Sequence, residues 1–226
     1  MAQNWQDPAF AGQWDARHLA GNPARAEHLA ILLSMMEEVP QGWVLDLGCG
    51  SGLVAQMVLD RSAGARIFGV DSSAAMLGLA HERLASYGDR TRLAEGDLTA
   101  LDRVDAPSGC AAVIAVQSLH HLAEPQYQSA VRWTFEHLAP AGWFVIIDRL
   151  AIPSETLYSA FYVLRERQGQ SPNPPDWSGY LDWLAANGDR PQPVQTILRL
   201  LEAAGFQAAA LDVRGDRGMV VGRRPA

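Results

Sequence analysis

Asp46-Leu47-Gly48-Cys49-Gly50-Ser51-Gly52 is the stretch of this 226-residue chain whose residue types and spacing point most directly to chemistry. Glycines at 48, 50 and 52 permit a turn whose backbone a ligand can approach closely. A helix that starts after such a turn presents free N–H groups to an anionic part of that ligand. A dinucleotide fingerprint would need its third glycine at position 53, where this chain has Leu53. A carboxylate also precedes the first glycine by two residues, which suits a cationic ligand better than a pyrophosphate. Asp71 follows about twenty residues beyond the loop, where an acid can accept from both hydroxyls of a ribose. Asp97 sits in Glu95-Gly96-Asp97-Leu98, and Gln117-Ser118-Leu119-His120-His121-Leu122 supplies two adjacent imidazoles that titrate near neutrality. All 18 basic residues are Arg, which removes the lysine Schiff base, the P-loop lysine and the lysine general base. Proton transfer therefore falls to His120, His121 or a carboxylate.

These residues need elements to hold them. Trp43–Leu47, Ala65–Val70, Ala111–Val116 and Trp143–Ile147 are apolar runs of the kind found in parallel strands covered on both faces, and Thr91–Ala94 is a weaker one. The candidate residues stand at or just beyond the ends of these runs. Between the runs, Met76, Ala80 and Leu84 share a helix face, as do Val131, Phe135 and Leu138. Ser72 and Ser73 can cap the first helix, and Pro125 suits the first turn of the second. Strand–helix alternation predicts an α/β, doubly wound sheet.

The two ends read differently. Leu29, Leu32, Leu33 and Met36 mark an amphipathic helix before the first strand, with His18 and His28 read as parts of a solvated face. Residues 151–193 hold six of the 13 prolines and six of the 18 aromatics, a composition that reads as an inserted cap. Val194, Ile197, Leu198 and Leu201 return to helical spacing and stop at Gly205. Ala208–Val213 and Gly218–Gly222 look like a closing strand pair. The expected division is a single domain over 1–226, with an N-terminal helical lid at 1–40 and a ligand-binding core at 41–150. A cap insertion at 151–193 and a closing helix and strand pair at 194–226 complete it.

Composition narrows the class. The chain is 48% hydrophobic with a formal charge of −7, long enough to bury a full core and acidic enough to weigh against a phosphate-backbone partner. No run approaches the ~18 apolar residues of a membrane span, and the first residues lack the pattern of a secretory signal. Cys49 and Cys110 have no metal-type spacing, which fits a reducing cytoplasmic compartment.

The glycine loop, Asp71, Asp97, the Gln117–His121 segment and Leu201-Glu202-Ala203-Ala204-Gly205-Phe206 together resemble class I S-adenosylmethionine-dependent methyltransferases, most strongly over 25–150. In style the likeness is to quinone-type and secondary-metabolite enzymes, whose fourth strand ends in a similar Leu-His-His-Leu. The resemblance implies a seven-stranded, mostly parallel, Rossmann-like sheet whose last strand, Gly218–Gly222, is antiparallel. It implies S-adenosyl-L-methionine as cofactor, with Asp46, Gly48, Cys49 and Gly50 around the methionine moiety. Asp71 would bind the ribose hydroxyls, with Ser72 and Met76 against the nucleoside. Asp97 would take the adenine amino group under Leu98, and Gln117 would lie near the donor methyl.

The implied reaction is methyl transfer by in-line displacement to a small, partly apolar or aromatic acceptor. His120 and His121 are the catalytic candidates where the acceptor must lose a proton. No metal is expected, since adjacent imidazoles do not easily share one ion without further ligands, although Asp148 could add one. Trp14 is a candidate to close over the site, and Tyr158 and Tyr162 are the cap's candidates for acceptor contact. Arg214, Arg217, Arg223 and Arg224 form the basic cluster, diluted by Asp212 and Asp216, so a small molecule is favoured over nucleic acid. The alternatives are a tRNA wobble-uridine modifying relative of the same fold and a non-catalytic S-adenosylmethionine-binding regulator. A nicotinamide dehydrogenase is disfavoured by Leu53 and Asp46. Oligomeric state is left open.

Overall fold

The computed structural model describes residues 4–17, 23–39, 41–167, 174 and 176–226. In chain order its elements begin with α1 (Pro8–Arg17), α2 (Pro23–Glu37), β1 (Gly42–Leu47), α3 (Leu53–Arg61), β2 (Ala65–Asp71), α4 (Ala74–Leu84) and β3 (Thr91–Glu95). They continue with β4 (Cys110–Val116), α5 (Glu124–His137), β5 (Leu138–Arg149), α6 (Glu155–Arg167) and α7 (Trp177–Asn187), and end with α8 (Val194–Ala204), β6 (Gln207–Arg214) and β7 (Arg217–Arg223).

Seven strands form one sheet in the order β3-β2-β1-β4-β5-β7-β6. The strands β1 to β5 run parallel, and β7 is antiparallel to both of its neighbours, β5 and β6. The apolar runs become strands because helices cover both faces. Leu45, Val113, Phe144 and Val220 pack with Tyr127 and Val131 of α5 and Leu200 and Leu201 of α8. Val44, Ile67, Ile114 and Val145 pack with Leu29 and Leu32 of α2 and Val54 and Val58 of α3. Each such fully buried side chain is worth about 1.5–3 kcal/mol, so the two cores supply the stability that a costly polar site draws on.

Two elements depart from expectation. The strand β5 starts at Leu138 rather than Trp143, because buried Leu138 pairs with Cys110 before a register break at Ala112. His28 is not on a solvated face; it is 1% exposed, and its Nε2 lies 2.8 Å from Asp212 Oδ2 on β6. Arg25, His28, Leu32 and Met36 form one helical stripe, and α2 lays that stripe against the sheet instead of leaving half of it in water. His18 lies outside the described residues.

Among the described residues no helix is long and apolar enough to cross a membrane. The described part of 151–193 contains α6 and α7, whose aromatics pack on one another: the Tyr158 and Tyr180 rings stack with centroids 4.7 Å apart.

The turn after β1 tolerates little change. Gly48 has φ +73°, and a Cβ there would collide with Ser118 Cβ. Ser118 cannot easily yield, because its Oγ donates to Leu47 O at 2.6 Å. Gly48→Ala should therefore destabilise the protein by roughly 2–4 kcal/mol, combining left-handed strain with overpacking. Urea unfolding would show this as a lowered midpoint, and an unchanged midpoint would contradict the geometry.

Candidate functional site

The carboxyl ends of β1, β2 and β4 and the turns beyond them line a cleft of about 1060 Å³ that is partly open to solvent. It lies where the strand order reverses between β1 and β4, the place where open α/β sheets leave a crevice. The loop after β1 is bent by left-handed backbone at Gly48 (φ 73°), Gly50 (φ 54°) and Gly52 (φ 74°), conformations that favour glycine. It folds across β2, with the Gly48 and Cys49 N–H groups donating to Val70 O at 2.8 and 3.0 Å.

Asp71 ends β2 and is held by that same loop. Its Oδ2 accepts from Gly50 N at 2.8 Å and its Oδ1 from Ser73 N at 2.9 Å. A carboxylate has about four acceptor positions, so two protein bonds leave capacity for a ligand's hydroxyls. Ser73, rather than Ser72, caps α4 by accepting from Met76 N at 3.1 Å. Asp97 caps the short turn that follows β3, accepting from Thr99 N at 2.8 Å. Ser72, Met76, Asp97, Leu98 and Gln117 all line the cleft, as do Asp46, Gly48, Cys49 and Gly50.

Asp46 is the costliest of these groups. It is 1% exposed, and its Oδ2 accepts no hydrogen bond. Burial, reinforced by the Asp71 charge, pushes its pKa up to about 7. Burial likewise pushes Asp71 up, against the pull of its backbone hydrogen bonds. Cys49 is a packing residue: its thiol is raised well above its usual range by burial, and a Cβ on Gly69 would sit 2.9 Å from its Sγ.

The imidazoles separate into two environments. His121 lines the cleft and is half-buried; burial first, then the neighbouring His120, lowers its pKa. His120 is buried behind it, with Nδ1 2.5 Å from Asp148 Oδ1 and its backbone N–H donating to Asp148 Oδ2 at 3.0 Å. Asp148 is held below the usual carboxylate range because His120 and two backbone N–H groups outweigh its burial. Gln117 keeps a left-handed backbone (φ 59°), with its N–H donating to Ile147 O and its side-chain oxygen accepting from Arg217 Nη1 at 3.1 Å.

Tyr158 and Tyr162 are not among the residues lining the cleft. Tyr158 is buried inside the cap, its hydroxyl donating to Pro174 O at 2.5 Å. Trp14 belongs to α1, and its side chain lies outside the described residues.

Sequence reasoning missed several groups. Arg25 lines the cleft and is buried, with its pKa lowered to about 10 by burial and then by Arg217. Its place on the buried stripe of α2 was a readable signal. Trp5, which the sequence offered with Trp14 and Asp15 as able to close over the site, lines the cleft too. Arg83 joins Asp15 of α1 (2.7 Å) to the Ser51 carbonyl (2.6 Å) of the glycine loop. Asp189, delivered by the turn after α7, reaches the two histidines from far along the chain, and no local pattern marked it.

Comparison with known proteins points in the same direction as the fold and the cleft's row of acids. A methyltransferase-domain family model matches residues 44–142. Ribosomal RNA small subunit methyltransferase C of Pseudomonas paraeruginosa is 32% identical over 149 residues, covering 63% of this chain and 43% of that protein. Trans-aconitate 2-methyltransferase of Delftia acidovorans is 28% identical over 193 residues, covering 84% of this chain and 67% of that protein. Human N-acetylserotonin methyltransferase, solved with S-adenosylmethionine, shares the fold with a TM-score of 0.66 at 16% identity, covering 98% of this chain and 58% of that one. Over residues 44–142 this chain is similar to methyltransferase domains, and it shares the fold of a methyltransferase solved with S-adenosylmethionine. It spans less than half the length of the ribosomal RNA methyltransferase it matches.

The Asp46 shift has a sign that can be checked. The unfolded chain releases this proton near pH 4, whereas the ligand-free fold retains it up to about pH 7. Across that window the folded state binds more protons, so this group makes stability fall as pH rises. Asp46→Asn should flatten the fall of the urea midpoint between about pH 4 and about pH 7. An unchanged slope would contradict the burial of an ionisable Asp46.

Proposed function

We propose that this chain transfers a methyl group from S-adenosylmethionine to a small-molecule acceptor. The observation that carries the reading is a row of carboxylates, Asp46, Asp71 and Asp97, at or just past the ends of three neighbouring strands along one cleft. An orphaned buried carboxylate at Asp46 fits the ammonium group of a methionine moiety, whose arrival would also stabilise the ionised form. The turn at Gly48, Cys49 and Gly50 admits that moiety, and Asp71 takes the ribose hydroxyls beside Ser72 and Met76. Asp97 accepts from the adenine amino group, Leu98 covers the ring, and Gln117 stands at the methyl end.

When bound, S-adenosylmethionine supplies an electrophilic methyl on a sulfonium, so the protein's own work is alignment and charge placement. His121 faces the acceptor end of the cleft with His120 behind it, and the pair promotes loss of the acceptor's proton. In this reading 1–40 serves as a lid, 41–150 as the donor-binding core, 151–193 as a cap and 194–226 as the closing unit of one methyltransferase domain. Tyr158 and Tyr162 support the cap and are not assigned to the acceptor.

A small acceptor is favoured by the fate of the basic cluster. Arg214 pairs with Glu27 and Asp212, Arg224 donates to the carbonyls of Phe135 and Leu138, and Arg217 reaches Gln117. Arg223 lies over the Trp143 ring. Arg217 and Arg224 are held within the protein and two carboxylates offset the charge of exposed Arg214, which leaves Arg223 as the cluster's exposed cation without a carboxylate beside it among the described residues. The name of the trans-aconitate relative also indicates a small acceptor.

Asp71→Ala should weaken binding of S-adenosylhomocysteine by about 1–3 kcal/mol, or roughly 5–150-fold, measured by calorimetry. Unchanged affinity would remove Asp71 from the ribose site. With methyl-labelled donor and a panel of phenols, quinols, amines, carboxylic acids, tRNA and rRNA, label should appear in a small molecule. Label in RNA alone would overturn the acceptor assignment, and donor binding without any transfer would mark a regulator.

A further inference from the structure

The sequence argued against a metal because the adjacent histidines lacked a further ligand, and the fold brings one to them. Asp189 lies after α7 and is almost fully buried, its side chain 2% exposed. Its Oδ1 is 3.3 Å from His121 Nδ1 and 3.6 Å from His120 Nε2, yet it accepts no hydrogen bond. The two imidazoles lie side by side with centroids 4.2 Å apart, and the three ligand atoms all fall within 4.8 Å of one another. Bonds of about 2.0–2.2 Å at tetrahedral angles place ligand atoms ~3.3–3.5 Å apart, which matches the His121 contact at 3.3 Å; the His120 contact at 3.6 Å lies just outside it, so an ion would draw that imidazole in.

The surroundings suit a cation as well. Asp148 sits 2.5 Å from His120 Nδ1, the carboxylate–imidazole pairing that fixes the proton on one nitrogen and leaves the lone pair of the other for a ligand bond. That lone pair on Nε2 then faces a carboxylate oxygen, an arrangement that needs a positive charge between them. Arg149 Nε approaches only the other oxygen, Asp189 Oδ2, at 3.4 Å, and shares its charge with Asp216. His121 borders the cleft, so a position there opens toward the acceptor end.

We propose that His120 Nε2, His121 Nδ1 and Asp189 Oδ1 bind one divalent transition-metal ion of the zinc or ferrous class, with an open position facing the cleft. Two imidazoles and one carboxylate favour such ions over magnesium or calcium. The geometry stands independently, but the ion's use rests on the methyl-transfer reading. An acceptor hydroxyl polarised at the open position loses its proton to solvent water. Its oxygen then forms the O–CH₃ bond as the S–CH₃ bond breaks, and that bond's electron pair leaves on sulfur as the thioether.

Cobalt(II) is the probe, added to the full-length, tag-free protein freed of metal by chelation. The expected result is one equivalent bound, with visible ligand-field absorption of tetrahedral intensity, displaced by zinc(II). Asp189→Asn should weaken cobalt binding at least about 100-fold, and Asp148→Asn about 10–100-fold, the range for losing a carboxylate behind a ligating imidazole. S-adenosylhomocysteine affinity, measured alongside, should be unchanged in both variants and shows that they are folded. Absence of the cobalt band with intact S-adenosylhomocysteine binding would overturn the ion. Equal cobalt affinity in Asp189→Asn would overturn the site too, whereas loss of S-adenosylhomocysteine binding by the unaltered protein would sink the donor reading instead.

Discussion

A carboxylate buried at the carboxyl end of the central strand sets the terms for the rest of this structure. Taking such a group out of water costs several kcal/mol, and the protein gives one oxygen of Asp46 no hydrogen bond in return. The fold tolerates it through the apolar cores on both faces of the sheet. It also places the acid where β1 and β4 diverge, so a bound cation can supply the missing partner. The neighbouring geometry follows from keeping that place open. The loop turns away over β2 on three left-handed glycines, and its Gly50 N–H then fixes Asp71. The site is thus one connected device in which the loop that clears space for a ligand also orients the next acid.

A second polar centre lies at the far side of the cleft and is organised differently. Asp148, Asp189 and Asp216 are interleaved there with His120, His121, Arg149 and Arg217, drawn from β5, β7 and the turns after β4, α7 and β6. The helix α7 and the turn after it are tied into this network. Arg149 lies 4.3 Å from the centre of the Trp183 ring, and the Arg190 N–H donates to the His120 carbonyl at 2.5 Å. Movement of α7 would therefore be felt first at the histidines.

Much of this was legible residue by residue. The strands could be read because both faces are covered, making each a run of apolar residues with an acid or glutamine at its exit. The residues that line the cleft beyond β1, β2 and β3 could be read because one local turn and strand ends at regular intervals hold them. His28 was misjudged since periodicity shows which residues share a helix face but not how wide a stripe the sheet will cover. Tyr158 was assigned to an acceptor because aromatic content cannot distinguish side chains that line a cavity from those that stack on one another. Asp189 carried no signal: nothing within its turn distinguishes it from a solvated loop acid.

The sequence by itself determined the α/β order, the loop at Gly48–Gly52, the row of acids and the absence of any lysine chemistry. These depend on local conformation and on burial averaged over an element, and both are written in neighbouring residues. Only the tertiary structure decided which imidazole meets the cleft, that Arg25 lines it while feeling the charge of Arg217, and that a carboxylate 68 positions beyond His121 comes within 3.3 Å of it. Such contacts are set by how helices and turns from separate parts of the chain dock onto a common sheet. Their electrostatics depend on burial and on distances of a few ångströms, neither of which a linear pattern contains.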